Sequence, residues 1–189
     1  MMNAGAEEFL IEKLADARVV PVLISMLADK RGSDPINHRA IYIACRALGA
    51  VGEPAVQPLI ELLQNERYNP KYRGEIVHAL GLTKSLTAVQ PLIEVLQNER
   101  YNPEYRGEVA YALGLTKSLT AFQPLLKVLE DQRANFWVRR GAMTGLCLLR
   151  DRVGFEEVRV KQALTNALQD PNFNIAREAR GYLKMLASG

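Results

Sequence analysis

The chain has 189 residues, of which 48% are apolar, and this is enough for one domain with a continuous core. Its 24 basic and 21 acidic residues leave a net charge of +3, which is too small and too evenly spread to favour a nucleic-acid partner. No apolar run approaches the ~20 residues of a membrane span. The start of the chain, with Glu7 and Glu8, does not match a secretory signal, so we expect a cytoplasmic protein.

The first predicted element is an amphipathic helix over residues 5–17, with an apolar stripe formed by Phe9, Leu10, Ile11 and Leu14. Its acidic side chains and its place before the repeats described next are typical of a cap helix. A cap is needed because the first member of a stack of repeats has no preceding neighbour.

The rest of the chain is built from one repeated unit. Residues 55–87 read AVQPLIELLQNERYNPKYRGEIVHALGLTKSLT, and residues 88–120 repeat them with five differences. The period of 33 continues into residues 121–157, because Pro58, Pro91 and Pro124 are equally spaced. Weaker copies flank these three units at residues 18–54 and 158–187. Such short units stack to build a common core.

Each unit is predicted to contain two helices. The first, Val56–Gln64 in the second unit, has apolar residues three and four positions apart and carries Pro58 in its first turn, where proline costs no hydrogen bond. Asn69 is placed to cap the second helix, with Pro70 at its first position, and Gly81 is placed to end it in the left-handed conformation. We therefore predict an all-α fold: a right-handed α-α superhelix, or solenoid, of about five helical hairpins with an N-terminal cap helix, in a single domain over 1–189.

The motif Ala-Val-x-Pro-Leu-Ile, followed by Asn-Pro-x-Tyr-Arg and Ala-Leu-Gly, resembles the HEAT-like repeats named after the phycobilisome lyases. The resemblance covers roughly residues 19–187 and implies a HEAT-repeat fold. It also implies an alternative function, as a subunit of a bilin lyase or another factor for assembly or turnover of phycobiliproteins. A bilin is expected only under that alternative.

Arginine recurs at the start of the second helices, at Arg73, Arg106 and Arg139, whereas the first unit has Ile41 and the last has Ala176. In HEAT-like repeats such arginines bridge to turn carbonyls or acids of a neighbouring repeat, so the resemblance implies a structural role. A ladder that binds an anionic partner is the other interpretation.

Catalytic and metal-binding patterns are not found in the sequence. Cys45 and Cys147 are far apart and are best interpreted as small apolar residues inside helices. His38 and His78 lie in different units without a neighbouring nucleophile or carboxylate at a recognisable spacing. We therefore predict no metal and no cofactor, and an enzyme acting alone is disfavoured. A subunit that positions a substrate for a partner remains open.

In HEAT-type solenoids the second helices line the concave face. Aligning these helices predicts a partner-binding groove formed by Tyr42, Arg46, Gly74, Glu75, His78, Gly107, Glu108, Tyr111, Arg140, Thr144 and Arg177, with Ile43, Gly141, Glu178 and Gly181 at equivalent positions.

Two groups among these residues have two interpretations each. Glycine inside a helix costs about 1 kcal/mol relative to alanine, so Gly74 and Gly107 either lower the floor of the groove or let adjacent second helices pack closely. Phe136 and Trp137 are candidate aromatic contacts with a partner, or they are buried against an insert at residues 151–157.

These features predict a non-catalytic scaffold or adaptor that binds a partner protein in its concave groove. A small-molecule substrate and membrane insertion are not expected, and the low net charge argues against nucleic acid.

Overall fold

The computed structural model describes residues 4–28, 35–64, 72–153 and 157–187. These residues form helices and turns and contain no β-strand, which confirms the all-α prediction. Spatial proximity divides the chain into two compact units, Met1–Ala88 and Val89–Gly189. The single-domain assignment and the repeat boundaries stay predictions.

The first unit contains five α-helices in its described part: α1 Ala4–Leu14, α2 Val20–Ala28, α3 Pro35–Val51, α4 Glu53–Gln64 and α5 Arg73–Leu82. Helix α3 is central, because α1, α2, α4 and α5 all pack against it. Helix α1 ends at Leu14, three residues before the predicted end. Asp16 stops it by capping a short 3-10 turn over Ala17–Val19, where its carboxylate accepts the backbone N–H of Arg18 at 2.8 Å.

The predicted place of Pro58 in the first turn of its helix is wrong. Helix α4 begins at Glu53, so Pro58 lies inside it. The earlier start has a local cause, since Gly52 adopts a φ of +79° that ends α3 and Pro54 then occupies the start of α4, where proline is favoured. Pro91 lies in the first turn of its own helix, as predicted for the repeat.

The predicted left-handed cap at Gly81 is also wrong. Gly81 lies inside α5, and the left-handed residue is Lys84, with a φ of 54°. The helix continues past the glycine because Thr83 satisfies the last carbonyls, its hydroxyl donating to the Leu80 carbonyl oxygen at 2.6 Å. The next repeat ends in the same way, with Lys117 at a φ of 55°.

The second unit contains six α-helices in its described part: α6 Val89–Gln97, α7 Pro103–Leu115, α8 Phe122–Glu130, α9 Phe136–Val153, α10 Glu157–Ala167 and α11 Phe173–Ala187. They form the hairpins α6–α7, α8–α9 and α10–α11, and α9 also packs against α7 and α11. The predicted asparagine cap is confirmed at Asn102, whose side chain accepts the Tyr105 N–H at 2.8 Å, with Pro103 at the first position. The equivalent Asn69 and Pro70 lie outside the described residues.

Two of the recurring arginines, Arg106 and Arg139, have a structural role, although not all of their bonds reach the predicted partners. Arg106 Nε donates to the Leu96 carbonyl oxygen at 2.8 Å, and Arg139 Nε donates to that of Leu129 at 3.1 Å. Both carbonyls belong to the first helix of the same repeat, because that helix ends with acceptors that the helix itself leaves unsatisfied. Arg139 also forms an ion pair at 2.5 Å with Asp170 of the next repeat, and the two side chains are only 4% and 2% exposed.

Both cysteines are buried inside helices, Cys45 in α3 and Cys147 in α9, which confirms their interpretation as core residues. Burial, reinforced by the nearby charge of Glu75, raises the pKa of the Cys45 thiol. That thiol is therefore protonated and unreactive at neutral pH.

Candidate binding groove

Two rows of side chains on neighbouring helices of the second unit form a groove of about 630 Å³. Helix α7 and helix α9 contribute four residues each, spaced three, four and seven positions apart, so that each row lies on one helical face. Tyr182 of α11 completes the lining. The α7 row is Glu104, Gly107, Glu108 and Tyr111, and the α9 row is Trp137, Arg140, Gly141 and Thr144. Six predicted site residues are thus brought together: Gly107, Glu108, Tyr111, Trp137, Arg140 and Thr144.

The floor of the groove is helix backbone. A Cβ atom added at Gly107 would lie 2.5 Å from the carbonyl oxygen of Trp137, and one added at Gly141 would overlap the Gly107 carbonyl. Gly114 and Gly145 extend this contact, since a Cβ at Gly145 would lie 2.5 Å from the Ala110 carbonyl oxygen. The close-packing interpretation of Gly107 is therefore correct. The same glycines also leave the floor without side chains.

Trp137 stands at the edge of this floor and is 44% exposed. Asn135 holds the start of α9, because its side chain accepts the Trp137 N–H at 2.9 Å. The Phe136 ring packs edge-on against the indole, with centroids 5.1 Å apart, and the Arg140 guanidinium lies 5.9 Å from the indole centroid. Packing of Trp137 against side chains of residues 151–157 lies outside the described residues.

The groove has one acidic wall and one mixed wall. Glu104 and Glu108 are exposed along α7. On the opposite side, Arg140 lies 3.8 Å from Glu178, and the hydroxyls of Thr144 and Tyr182 are 2.6 Å apart. Burial raises the pKa of Tyr182 despite the hydrogen bond with Thr144, so its phenol is neutral at physiological pH. The lining therefore offers carboxylates, neutral hydroxyls and an aromatic surface.

In the first unit the predicted site residues lie on α3 and α5 and are partly buried, except Ile43, which belongs to the buried core. The Arg46 guanidinium donates to the Tyr42 hydroxyl at 3.4 Å and lies 3.5 Å from the Glu8 carboxylate. On α5, Gly74, Glu75 and His78 follow one another along the helix. Burial lowers the pKa of His78, Glu75 opposes this shift, and Arg46 adds to it. Arg46, Glu75 and His78 are therefore close enough to influence one another.

Arg177 does not line the groove. It borders a separate hollow of about 280 Å³ on α11, together with Glu178, Gly181, Tyr182 and Met185. Arg177 Nη2 lies 3.7 Å from the Glu178 carboxylate, and both side chains belong to the same turn of α11.

Sequence reasoning missed Glu104 and Tyr182 as lining residues. Glu104 had a signal, because it is one of the five differences between the two near-identical repeats, at the position of Lys71. Tyr182 replaces the small residues Ala112 and Gly145 of the preceding repeats. A bulky side chain at a close-packing position has to project elsewhere, and here it projects into the groove.

Two negative findings apply to the described part of the chain. No helix there combines the length and apolar character needed to cross a membrane. No group of three or more His, Cys, Asp or Glu side chains among those residues is placed to hold a metal ion. The cytoplasmic location and the lack of a cofactor stay predictions.

Comparison with known proteins identifies the repeat type and its structural relatives. The family profile described as HEAT repeats matches residues 32–114 and, in an overlapping placement, residues 58–140. Among solved structures, the chain is similar to one in the complex of CpcE and CpcF of phycocyanin lyase from Nostoc sp. PCC7120. The identity is 23%, the TM-score is 0.67, and the match covers 88% of this chain and 99% of that chain.

An engineered protein matches with 16% identity and a TM-score of 0.51, over 97% of this chain and 90% of its own. A designed armadillo repeat protein matches with 19% identity and a TM-score of 0.48, over 93% and 85%. No curated protein sequence gives a significant match. At identities of 23% and 16%, the matches with TM-scores of 0.67 and 0.51 establish the fold alone.

Proposed function

The chain belongs to the HEAT-repeat family, as its motif predicts, and we propose that it is a non-catalytic scaffold whose α7–α9 groove holds a segment of a partner protein. The observation that carries this proposal is the exposed indole of Trp137 above a floor made of glycine backbone. A partner side chain can approach the floor closely and contact the indole at the same time. Binding energy in protein interfaces concentrates on such aromatic anchors.

The chemistry of the lining supports a protein segment as the occupant. The lining combines aromatic and hydroxyl side chains with carboxylates along its α7 wall, a mixture of apolar and polar groups that protein interfaces also have. Proteins of this fold have also been solved with a protein partner, since CpcE and CpcF form a complex.

The test is partner capture from lysate of the native host by the immobilised chain. Trp137→Ala should lower the affinity for the captured protein at least about thirtyfold, which corresponds to the loss of one interface hot spot. Leu119→Ala is the matched control, because Leu119 is a similarly exposed apolar side chain, at 56%, that does not line the groove. An equal loss of affinity in Trp137→Ala and Leu119→Ala would contradict the assignment of the groove as the binding site.

A second pair of variants separates the two units. Glu108→Gln with Tyr111→Ala removes polar groups of the groove, whereas Glu75→Gln with His78→Ala removes the predicted site on α5. We expect the first pair to weaken capture and the second to leave it nearly unchanged. Loss with the second pair alone would move the binding site to the first unit.

A second candidate is a subunit of a bilin lyase type. It is supported by the repeat motif, by the fold shared with the phycocyanin lyase chain, and by a groove volume of about 630 Å³, which falls in the range of small-ligand sites. Mixing the chain with phycocyanobilin should then produce a red-shifted visible band that Trp137→Ala abolishes. If no band forms with or without a partner subunit, the candidate is rejected.

A further inference from the structure

Helix α1 packs against α3 and also has an outward face of exposed side chains, one of which, Glu8, reaches Arg46 of α3. Ile11 is buried, whereas Glu8, Phe9 and Glu12 are exposed. Phe9 is 57% exposed, and Glu8 keeps 68% of its side chain exposed although it lies 3.5 Å from Arg46. The Lys13 ammonium lies 5.4 Å from the Phe9 ring centroid. The outward face is thus an exposed aromatic ring with two carboxylates beside it.

Helix α11 has an outward face of opposite charge. Arg177, Arg180 and Lys184 are exposed at positions three and seven residues apart, so they lie on one side of the helix. Beside this row, Gly181 leaves the hollow of about 280 Å³, and no atom lies within 4 Å of a Cβ atom added there. Met185 borders this hollow and is 44% exposed.

Aligning the repeats shows what the equivalent helix face packs against elsewhere in the same unit. The capping residues Asn102 and Asn172 align α7 with α11. In that register Arg177, Arg180 and Lys184 take the places of three small residues of α7, namely Gly107, Ala110 and Gly114. On α7, these small residues pack against α9, the next helix of the stack. The cationic face of α11 therefore corresponds to the face on which the next helix of a stack packs. The hollow beside it is lined by residues of α11 alone.

We propose that two copies of this chain associate head to tail, with α1 of one protomer stacked on α11 of its partner. Phe9 enters the hollow at Gly181, and Glu8 and Glu12 face Arg180 and Lys184. Helix α1 already stacks on another helix, α3, through its inner face. Opposite charge on the two outward faces selects this pairing, because like faces repel each other. The inference is independent of the α7–α9 groove.

The experiment is sedimentation velocity over a range of protein concentrations at low ionic strength, where screening is weak, since the Debye length is about 30 Å at 0.01 M salt and about 8 Å at 0.15 M. The wild-type chain should self-associate, and 0.15 M salt should weaken the association about tenfold or more. Arg180→Glu with Lys184→Glu makes both faces acidic, and Glu8→Lys with Glu12→Lys makes both faces basic. Each double variant alone should be monomeric.

Mixing the two double variants should restore association, because each acidic face then meets a basic one. This rescue would also show that both variants are folded. Lys127→Glu with Arg133→Glu is the control of equal charge change on exposed residues elsewhere, and it should associate like the wild type. Phe9→Ala should weaken association about fivefold or more, in line with the loss of a buried aromatic contact.

Several results would overturn the proposal: a wild-type chain that is monomeric at every concentration, double variants that still associate alone, or a mixture that stays monomeric. Association lost with Trp137→Ala but kept with Phe9→Ala would overturn it as well, because the groove would then be the contact.

Discussion

The second helices of the two units meet their neighbours in different ways, although the two middle repeats are nearly identical in sequence. Between α7 and α9 the contact is backbone on backbone, because Gly107 and Gly141 face each other. Between α3 and α5 a side chain intervenes, since a Cβ atom at Gly49 would lie 2.6 Å from the Cβ atom of Leu82. The first arrangement leaves an open groove. In the second, Arg46 contacts its neighbours Tyr42 and Glu8.

The repeat motif thus determines the hairpin, whereas a few positions outside the motif decide whether its surface is open.

The buried ion pair of the second unit has no counterpart in the first repeat, where the buried Ile41 takes the place of the arginine. Transplanting that residue as Arg139→Ile should therefore lower the free energy of unfolding by about 3–5 kcal/mol, because Asp170 is left charged and buried. Chemical denaturation measures the loss. Adding Asp170→Leu should recover most of it. Arg106→Leu, which removes a hydrogen bond from a half-buried residue, should cost only about 1 kcal/mol.

Glycine-to-alanine substitutions should change the free energy of unfolding by different amounts at three kinds of helix surface: one against backbone, one against a side chain and one facing open space. Gly141→Ala should destabilise by about 2–3 kcal/mol, because backbone atoms must separate. Gly49→Ala should destabilise by about 1–2 kcal/mol, because the opposing Cβ atom of Leu82, 2.6 Å away, moves only together with its backbone at the end of α5. Gly181→Ala meets open space and should stabilise by about 0.5–1 kcal/mol through helix propensity. Thermal and urea unfolding of the three variants measure these changes in stability. If all three substitutions change stability equally, the close approach of the helices at Gly141 is refuted.

Acid should affect the two units in different pH windows. Burial disfavours the charged form of His78 and lowers its pKa from the ordinary 6.5, so stability that is present above pH 6.5 is lost as the pH falls through the folded pKa. Burial would raise the pKa of Asp170, but the hydrogen bonds from Arg139 and the Asn172 N–H outweigh it. The pKa lies below the ordinary 3.8, and the corresponding loss begins only below pH 3.8.

The free energy of unfolding measured against pH should therefore show a small decline below pH 6.5. This decline should disappear in His78→Tyr, which introduces the tyrosine that the next repeat has at the equivalent position, Tyr111. A second decline below pH 3.8 should become shallower in Asp170→Asn. A decline below pH 6.5 that persists in His78→Tyr would assign that window to another group.

The smallest effects concern the two left-handed lysines that end α5 and α7. Lys84→Gly should stabilise by about 0.5–1 kcal/mol, because glycine adopts a positive φ without steric cost. Lys117→Gly should increase stability less, or not at all, because the substitution also removes the hydrogen bond that the Lys117 ammonium donates to the Leu148 carbonyl oxygen. Differential scanning calorimetry of both variants compares them, and a larger gain at Lys117 would contradict this account.

Much of the fold could be predicted from the sequence because the repeat makes the same helical pattern visible several times. The period placed the hairpins, the asparagine cap at Asn102 and the row that contains Glu108 and Tyr111. The ends of the helices could not be placed, because they depend on particular local bonds. The φ of Gly52 moves the start of α4, and the hydroxyl of Thr83 carries α5 beyond Gly81.

The groove was predicted only in part, for a different physical reason. Alignment of repeats identifies equivalent positions, but it does not give the distance between two helices. That distance decides that Gly107 and Gly141 form a floor and that Tyr182, at a position occupied by small residues elsewhere, turns into the groove. Arg177 was assigned to the groove by equivalence alone, and it borders another hollow because no described helix follows α11.

A groove floor made of main chain has a consequence for protein engineering. The spacing of α7 and α9 depends on glycines that present no side chain, and under the proposed function recognition depends on lining side chains that do not set the spacing. Residues such as Glu104, Trp137 and Thr144 can therefore be randomised while the depth of the groove stays constant. The second unit thus separates the architecture of a binding surface from its specificity, which is the property that a library of selectable binders requires.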